Sequence, residues 1–427
     1  MKPLAAWLNH FANGSRLRRN ISMTLGRQLL AALAQLLLVV VIARELGPEG
    51  NGLFAMAILL PTMLVNFLNL GIGSATVYHV GRGDVPAGQA VRENLRLGVM
   101  IASVGLALAV PVAFLWGESL FPGVPVALLY LGLAAFPISL LLAYFNTILQ
   151  GLEDFRSFNI TVLLPAYVTL GAALVGLYIL NAGVAGVVVA YLLGQLAGLL
   201  LTIRLLARHR QEHSGKSLAF SARTYRSHTL AYGWKAHLSN ILAFVNYRAD
   251  IFLVNFFMNP VATGLYFVAV QIAERLWMLS QAASTVLLPR LSAMHNEPDA
   301  RHRLTQRAAL VVAGLTATGA AFLLVAVLFL VEPVFGPEYH DAIEPFIWLL
   351  PGVIVGAAAR VQSNCIAAAG KPEWNMRVSI LVVFINVIGN VLLIPEMGLQ
   401  GAAIATSIAY MVNAAIKYYL VKKTINL

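Results

Sequence analysis

The chain has 427 residues, of which 59% are hydrophobic and only 11% are charged, and its mean hydropathy is +0.78. Soluble domains carry about 25% charged residues to cover their surface, so this composition excludes a soluble protein and predicts a membrane protein. The net charge of +11 does not indicate nucleic-acid binding, because the basic residues form short clusters between long apolar runs, where topology signals lie.

Apolar runs long enough to cross a bilayer follow one another along the chain, separated by charges and by Gly, Pro and Asn clusters. A hydrocarbon core about 30 Å thick requires about 20 helical residues. The sequence therefore predicts an all-α polytopic membrane protein with twelve transmembrane helices. Their approximate limits are 23–46, 51–80, 91–116, 124–150, 158–180, 183–206, 229–257, 261–289, 306–331, 343–369, 374–395 and 400–420.

Charges flanking the runs indicate the orientation of the chain. With the N-terminus in the cytoplasm, 23 of the bases that flank the spans, from Lys2 to Lys423, lie inside, and one of them, Arg44, lies outside. The outer loops carry acids such as Glu338 instead. We therefore expect both termini to lie in the cytoplasm, and the outer loops are too short for an extramembrane domain.

Short motifs recur in the two halves of the chain at offsets of 212 to 219 residues. The matches pair 47–54 with 259–266, Gln150–Phe155 with Ala369–Trp374, and Gly183–Gly186 with Gly398–Gly401. Although Gly-rich turns alone produce some similarity of this kind, the constant spacing predicts a duplication. We expect six-helix bundles at 1–206 and 229–427, joined by a basic cytoplasmic linker at 207–228. Bundles of equal orientation are related by a pseudo-two-fold axis along the membrane normal, with a site between them.

Seven ionisable side chains fall inside the predicted spans. Each costs about 2.5 to 3.5 kcal/mol at the centre of a membrane helix, so such residues persist mainly where they face a polar interior. Bases outnumber acids, which predicts a cationic cavity that an anion would neutralise. The residues are Arg27 in span 1, Lys235, Arg248 and Asp250 in span 7, Glu274 and Arg275 in span 8, and Arg360 in span 10.

Each of these charged residues could have a structural role instead of lining a cavity. Arg27 and Lys235 lie near the cytoplasmic ends of their spans, where a long side chain can reach the headgroups. The deeper charges have an alternative in ion pairs, Arg248 with Asp250, and Arg275 or Arg360 with Glu274. Asp250 and Glu274 are also the candidates for coupling to a proton or cation. Further polar candidates for the cavity are His237, Gln271, Gln281 and Asn364.

Four Gly-centred segments extend along the whole chain: Arg27–Ala55, Leu149–Phe155, Ala368–Trp374 and Gly398–Tyr410. In these segments, and in its spans and duplication, the chain resembles bacterial polysaccharide flippases of the Wzx type. That family belongs to the multidrug/oligosaccharidyl-lipid/polysaccharide (MOP) exporter superfamily. The resemblance implies two bundles around a cavity that opens alternately to each side of the cell inner (cytoplasmic) membrane.

The resemblance also implies a cargo. It would be an oligosaccharide on polyprenyl (undecaprenyl) diphosphate, such as an O-antigen, capsule or exopolysaccharide repeat unit, moved to the outer leaflet. Arg27 and Arg275 match the family's diphosphate-binding cavity arginines by helix and charge, whereas Lys235, Arg248 and Arg360 are added because they share the cavity. Expected partners are this substrate, membrane lipids and glycan-assembly enzymes, with no nucleic acid, no cofactor and no enzymatic activity.

The related lipid II flippases have additional helices beyond twelve, which we do not expect in this chain, and they also have a sodium site. By that resemblance Asp250, Asn386, Asn390 and Thr406 are weak cation candidates, with helix-to-helix hydrogen bonding as the alternative for the asparagines. Transport is expected to be coupled to protons, sodium or the membrane potential.

Three other functions compete with a flippase. A multidrug exporter of the same superfamily needs acidic cavity residues to attract cations, and the first bundle has no intramembrane acid. A membrane-embedded glycan polymerase or ligase is disfavoured by the short outer loops. A scaffold for glycan-assembly enzymes would differ from a flippase by not moving lipid.

Overall fold

The computed structural model describes residues 2–212, 221–294 and 297–424, which are almost entirely helical and contain no strand. The α-helices are α1 (Lys2–Leu68), α2 (Ile72–Gly81), α3 (Ala87–Leu120), α4 (Val126–Leu133), α5 (Ala135–Gly151), α6 (Phe155–Tyr178), α7 (Gly183–Glu212), α8 (Ala222–Phe257), α9 (Pro260–Ala273), α10 (Trp277–Ala293), α11 (Pro298–Phe335), α12 (Ile343–Ala368) and α13 (Pro372–Lys423). Short 3-10 helices lie at Glu274–Leu276 and Pro337–Ala342. The predicted all-α polytopic fold is confirmed.

Each predicted span falls on one of these helices or on a consecutive pair. Within the described ranges, eight helical segments are long and apolar enough to cross a membrane. Pro372–Lys423 contains predicted spans 11 and 12, and Gly26–Leu68 contains most of span 1 and the first part of span 2. The backbone leaves the helical region at Gly47 and at Gly398, between the predicted spans. The count of twelve stays a prediction.

Three predicted spans and the predicted linker differ from the structure. Span 2 is interrupted between α1 and α2, span 4 between α4 and α5, and span 8 by the 3-10 turn at Glu274–Leu276. The predicted linker at 207–228 is shorter than expected, because α7 continues to Glu212 and α8 begins at Ala222. The intervening residues 213–220 lie outside the described part of the chain.

The chain divides into two compact units that cut across the predicted bundles. Unit 1 comprises Met1–Leu38, Leu64–Pro111 and Tyr130–His237, and unit 2 comprises Val39–Met63, Val112–Leu129 and Leu238–Leu427. The six-helix bundles expected at 1–206 and 229–427 therefore stay a prediction.

Unit 1 has an apolar core that includes Phe136 and Tyr144, which are fully buried. At the start of α6, Asp154 caps the helix by accepting a hydrogen bond from the backbone N–H of Ser157 at 3.1 Å. The same carboxylate lies 3.0 Å from Nε2 of His209. Burial of Asp154 raises its pKa, but the hydrogen bonds from Ser157 and His209 outweigh it, so the pKa lies below its ordinary value.

Unit 2 contains a close contact between the starts of predicted spans 2 and 8. A Cβ on Gly52 would overlap the carbonyl oxygen of Pro260, and a Cβ on Gly264 would overlap that of Pro48. This reciprocal glycine contact joins two segments of the repeated motif, because each glycine follows its proline by four residues. Nearby, Asn51 is fully buried and donates from Nδ2 to the hydroxyl of Tyr339 at 2.6 Å.

Candidate functional site

An ion pair in unit 2 joins α8 to the 3-10 turn after α9. Arg248 donates from Nη1 to Oε1 of Glu274 at 2.8 Å and from Nη2 to Oε2 at 3.2 Å. Both side chains are partly buried, and the bidentate geometry gives Arg248 a counterion within the protein. Glu274 therefore pairs with Arg248, and not with Arg275 or Arg360.

Asp250, two residues after Arg248 on α8, is buried and bonded to uncharged groups. Its carboxylate accepts from the hydroxyl of Tyr266 at 2.9 Å, the backbone N–H of Ile251 at 2.8 Å and the hydroxyl of Thr406 at 3.4 Å. No base in the described part of the chain lies within ion-pair distance of it. The structural pair with Arg248 that the sequence left open is therefore not formed.

The hydrogen bonds of Asp250 continue into α13. Asn386 donates to Thr406 at 3.3 Å, and Asn390 donates to the backbone and side-chain oxygens of Asn386 at 2.8 and 3.3 Å. The four weak cation candidates thus form one network, whose carboxylate, hydroxyl and amide oxygens are the ligand types that hard cations prefer. Oδ1 of Asn390 is buried without a hydrogen-bond partner, an acceptor that a cation would satisfy.

A cavity of about 280 Å³ lies in unit 2. Its lining includes two bases, one that the sequence predicted for a cavity and one that it did not, and no carboxylate. Cations, carboxamides and aromatic rings surround it. The lining residues are Asn246, Tyr247, Trp277, Gly356, Arg360, Ser363, Tyr410, Asn413 and Lys417.

Arg360 is the predicted cavity base that the structure places in this lining. Its guanidinium lies 5.3 Å from the ring centroid of Trp277 and donates to the hydroxyl of Tyr247 at 3.2 Å. The ring face and the hydroxyl orient the guanidinium but leave its charge without a counterion among the described residues. The arrangement suits binding of an anion in the cavity.

Lys417 is the second base in the lining. The sequence pattern places it with the cytoplasmic charges, whereas its side chain is only 8% exposed and lines the cavity beside Arg360. Lys417 lies inside the last predicted span, before the flanking Lys422 and Lys423, and this position in the sequence could have indicated an intramembrane base. Lys417 and Arg360 are thus the two bases among the residues that line this cavity.

Arg275 lies on the 3-10 turn and bonds to its own chain. It donates from Nε to the carbonyl of Gln271 at 3.1 Å and from Nη2 to Oε1 of Gln271 at 3.0 Å. No carboxylate among the described residues lies within ion-pair distance of it. Gln281, on α10, is exposed. Asn364 is partly buried, and its Nδ2 lacks a partner.

The remaining predicted bases belong to unit 1. The guanidinium of Arg27 lies 5.6 Å from the ring centroid of Phe158, and its Nε is buried without a hydrogen-bond partner. His237 is partly buried and bonds to the backbone of Phe67. The side chain of Lys235 lies outside the described residues.

The sequence matches the family described as polysaccharide biosynthesis protein over residues 41–344. Two curated proteins of Haloferax volcanii match shorter segments. Probable low-salt glycan biosynthesis flippase Agl15 is 23% identical over 169 residues, 39% of this chain and 36% of that protein. Probable flippase AglR is 26% identical over 200 residues, 45% of this chain and 41% of that protein. The chain thus spans less than half the length of these relatives.

Solved transporters share the fold. The lipid II flippase MurJ in an inward closed conformation has a TM-score of 0.73 and 15% identity, covering 94% of this chain and 88% of that one. An inward-facing multidrug resistance MATE family transporter of the MOP superfamily has a TM-score of 0.69 and 17% identity, covering 93% of this chain and 94% of that one. At such identities the likeness shows the fold alone.

Proposed function

The chain belongs to the polysaccharide biosynthesis protein family and has the fold of MOP superfamily transporters, and on this premise we propose that it is a flippase for polyprenyl-diphosphate-linked oligosaccharide. The supporting observation is the cavity lined by Arg360 and Lys417 without a carboxylate. We place the protein in the cell inner membrane with both termini in the cytoplasm, where the substrate is assembled.

The charge of the cavity matches the diphosphate. Two cations in one cavity, Lys417 buried and Arg360 partly buried, repel each other and are costly in a low-dielectric environment, so an anion with about two negative charges stabilises them. Arg360 presents planar donors suited to phosphate oxygens, whereas Lys417 supplies a compact point charge. Binding in this cavity would replace part of the hydration of the headgroup while the polyprenyl tail stays in lipid.

The other bases have different proposed roles. Arg27 and Arg275 lack carboxylate partners among the described residues, and both remain candidates for diphosphate contact at another stage of the cycle. Arg248 is neutralised by Glu274, so we assign it to positioning the 3-10 turn rather than to substrate binding. We assign coupling to the Asp250 network, with Glu274 as a second acid, because their protonation or cation binding would alter helix contacts in unit 2.

A multidrug exporter for cationic drugs is the second candidate, and the cavity disfavours it. Its lining includes two bases and no acid, so a cationic drug would be repelled.

A flipping assay tests the proposal. Purified protein is reconstituted into liposomes with a fluorescent lipid-linked oligosaccharide, and an impermeant reagent measures the labelled fraction in the outer leaflet. We expect flipping well above that of protein-free liposomes, at least tenfold slower flipping by Arg360→Ala and by Lys417→Ala, and an intermediate rate for Arg360→Lys. Arg303→Ala, which removes an exposed base, is the matched control and should flip at the wild-type rate. Wild-type flipping by both cavity variants would contradict the proposed site, and no flipping by wild type would contradict the function.

A further inference from the structure

Lys417 is the less compensated of the two bases that line the cavity. Its side chain is only 8% exposed, and it lies in the lining with Arg360. Among the residues that the structure describes, no carboxylate lies within ion-pair distance of Lys417 and no side chain bonds to it. An ammonium group in this position has lost most of its hydration without gaining a partner, which is costly.

Arg360 occupies two of the groups in the lining that favour a cation. Its guanidinium lies over the ring of Trp277 and donates to the hydroxyl of Tyr247 at 3.2 Å, and its charge acts on Lys417. The other titratable side chains of the lining are the phenols of Tyr247 on α8 and Tyr410 on α13, whereas α10 contributes none. Lys417 therefore faces a fixed positive charge, and the lining supplies no carboxylate to offset it.

The two bases differ in how they can respond to this cost. A guanidinium keeps its proton in proteins, whereas a lysine releases its proton to water when its surroundings disfavour charge. In a cavity without an anion, loss of one proton from Lys417 leaves a neutral amine and removes the repulsion from Arg360. When a diphosphate enters, its negative charge favours the ammonium again, and the amine takes up one proton from the surrounding water.

We infer that Lys417 is a proton-binding site linked to the diphosphate, so that it takes up a proton when the diphosphate binds and releases this proton when the diphosphate leaves. The inference rests on the proposed function and adds how the occupancy of the same cavity is controlled. The empty cavity then holds one fixed positive charge instead of two, which lowers the free-energy cost of returning the empty transporter to its loading conformation.

Calorimetry in several buffers counts the protons. Farnesyl diphosphate is titrated into the full-length protein in detergent and into protein-free micelles, in magnesium-free buffers that differ in ionisation enthalpy. The dependence of the measured enthalpy on the ionisation enthalpy of the buffer gives the number of protons taken up. At about pH 8.5 the ligand has no proton to release, because the last proton of a phosphate monoester dissociates near about pH 6.

Wild type should show proton uptake and a matching pH dependence. We expect it to take up about 0.5 to 1 proton per ligand at about pH 8.5, and we expect its affinity to fall about tenfold between about pH 7 and about pH 9. The affinity falls as the pH rises because the binding-competent ammonium becomes scarcer in the empty cavity.

Three variants identify the group that takes up the proton. Lys417→Arg keeps the positive charge but cannot release it, so we expect uptake below about 0.2 proton and less than about threefold change in affinity over the same pH range. Lys417→Met gives a second reading if the arginine does not fit, with no uptake and weaker binding. Lys422→Met removes an exposed lysine of α13 and should keep the wild-type uptake and pH profile.

The possible failures are distinguishable. Binding by wild type without proton uptake would overturn the inference and leave the proposed function standing. Undiminished uptake in Lys417→Arg and Lys417→Met would also overturn it, because the proton would then go to another group. If wild type did not bind the diphosphate at any of these pH values, the proposed diphosphate site itself would fail.

Discussion

Gly52 and Gly264 lie backbone against backbone in unit 2, each packed on the proline carbonyl that begins the other's helical segment. Hydrogen atoms in place of side chains are what let the segments approach this closely. Two stretches separated by 212 residues in sequence thereby meet through matching positions of the repeated motif.

Replacing either glycine should separate these segments. Gly52→Ala or Gly264→Ala places a methyl group in the contact, and overpacking of this kind costs about 1 to 3 kcal/mol. We expect at least tenfold slower flipping and a lower melting temperature in detergent. Gly314→Ala on α11, where a Cβ meets nothing within 4 Å, is the control and should keep wild-type values.

Cysteine labelling reports the contact directly. In a chain with Cys365 replaced by alanine, a cysteine at the buried position Asn51 should react slowly with a maleimide. Adding Gly52→Ala should accelerate the reaction by several-fold. Unchanged labelling and unchanged flipping would show that the contact does not hold the segments together.

Breaking the ion pair between Arg248 and Glu274 should destabilise the fold. Glu274→Gln leaves a partly buried guanidinium without its counterion, and because the pair is partly solvated we expect a loss of about 1 to 3 kcal/mol. Thermal unfolding in detergent measures it. Glu332→Gln, which breaks the exposed contact with His340, should cost less than about 1 kcal/mol. Equal melting temperatures for both variants would refute the structural role of the interior pair.

Removing the charge of Asp250 should abolish a sodium response. A cation present at 100 times its Kd stabilises the folded state by about 2.7 kcal/mol. We therefore expect a higher melting temperature for wild type in sodium chloride than in choline chloride of equal ionic strength, and no such difference for Asp250→Asn. The exposed variant Asp341→Asn should respond as wild type does. A wild type indifferent to the salt would leave the network with a purely structural role.

The capping carboxylate of Asp154 should contribute a pH-dependent stability. Because its pKa in the folded protein lies below the ordinary value, its contribution is present above about pH 3.9 and is lost as the pH falls through the folded-state pKa. Asp154→Ala should be less stable than wild type by about 1 kcal/mol at pH 7, and this difference should shrink at pH 3. Paired melting curves at both pH values measure it, and a difference that is as large at pH 3 as at pH 7 would contradict the lowered pKa.

Much of the fold follows from sequence because the bilayer imposes long apolar runs, and the breaks at Gly47 and Gly398 fall where the pattern predicts turns. The resemblance to lipid II flippases grouped Asp250 with Thr406 as cation candidates, and the structure joins them by a hydrogen bond, while the cation site stays a prediction. In both cases the sequence is informative because a particular residue type, a glycine between spans or a polar residue within a span, stands out from the apolar run.

Contacts between helices were harder to anticipate. Glu274, the first residue of the 3-10 turn, pairs with Arg248 on α8 rather than with its neighbour Arg275. Lys417 near the end of an apolar run looks like a headgroup contact until the packing of α12 and α13 shows it beside Arg360. Pattern alone does not determine which face of a helix meets which neighbour.

The glycine contact contains no long side chain and no charge. Forming it freezes few rotamers and strips little water from polar groups, so releasing it forfeits little binding energy. Such a contact can separate and form again at low free-energy cost, as a protein that changes conformation in every transport cycle requires. A contact made of arginine–glutamate ion pairs would cost more to separate.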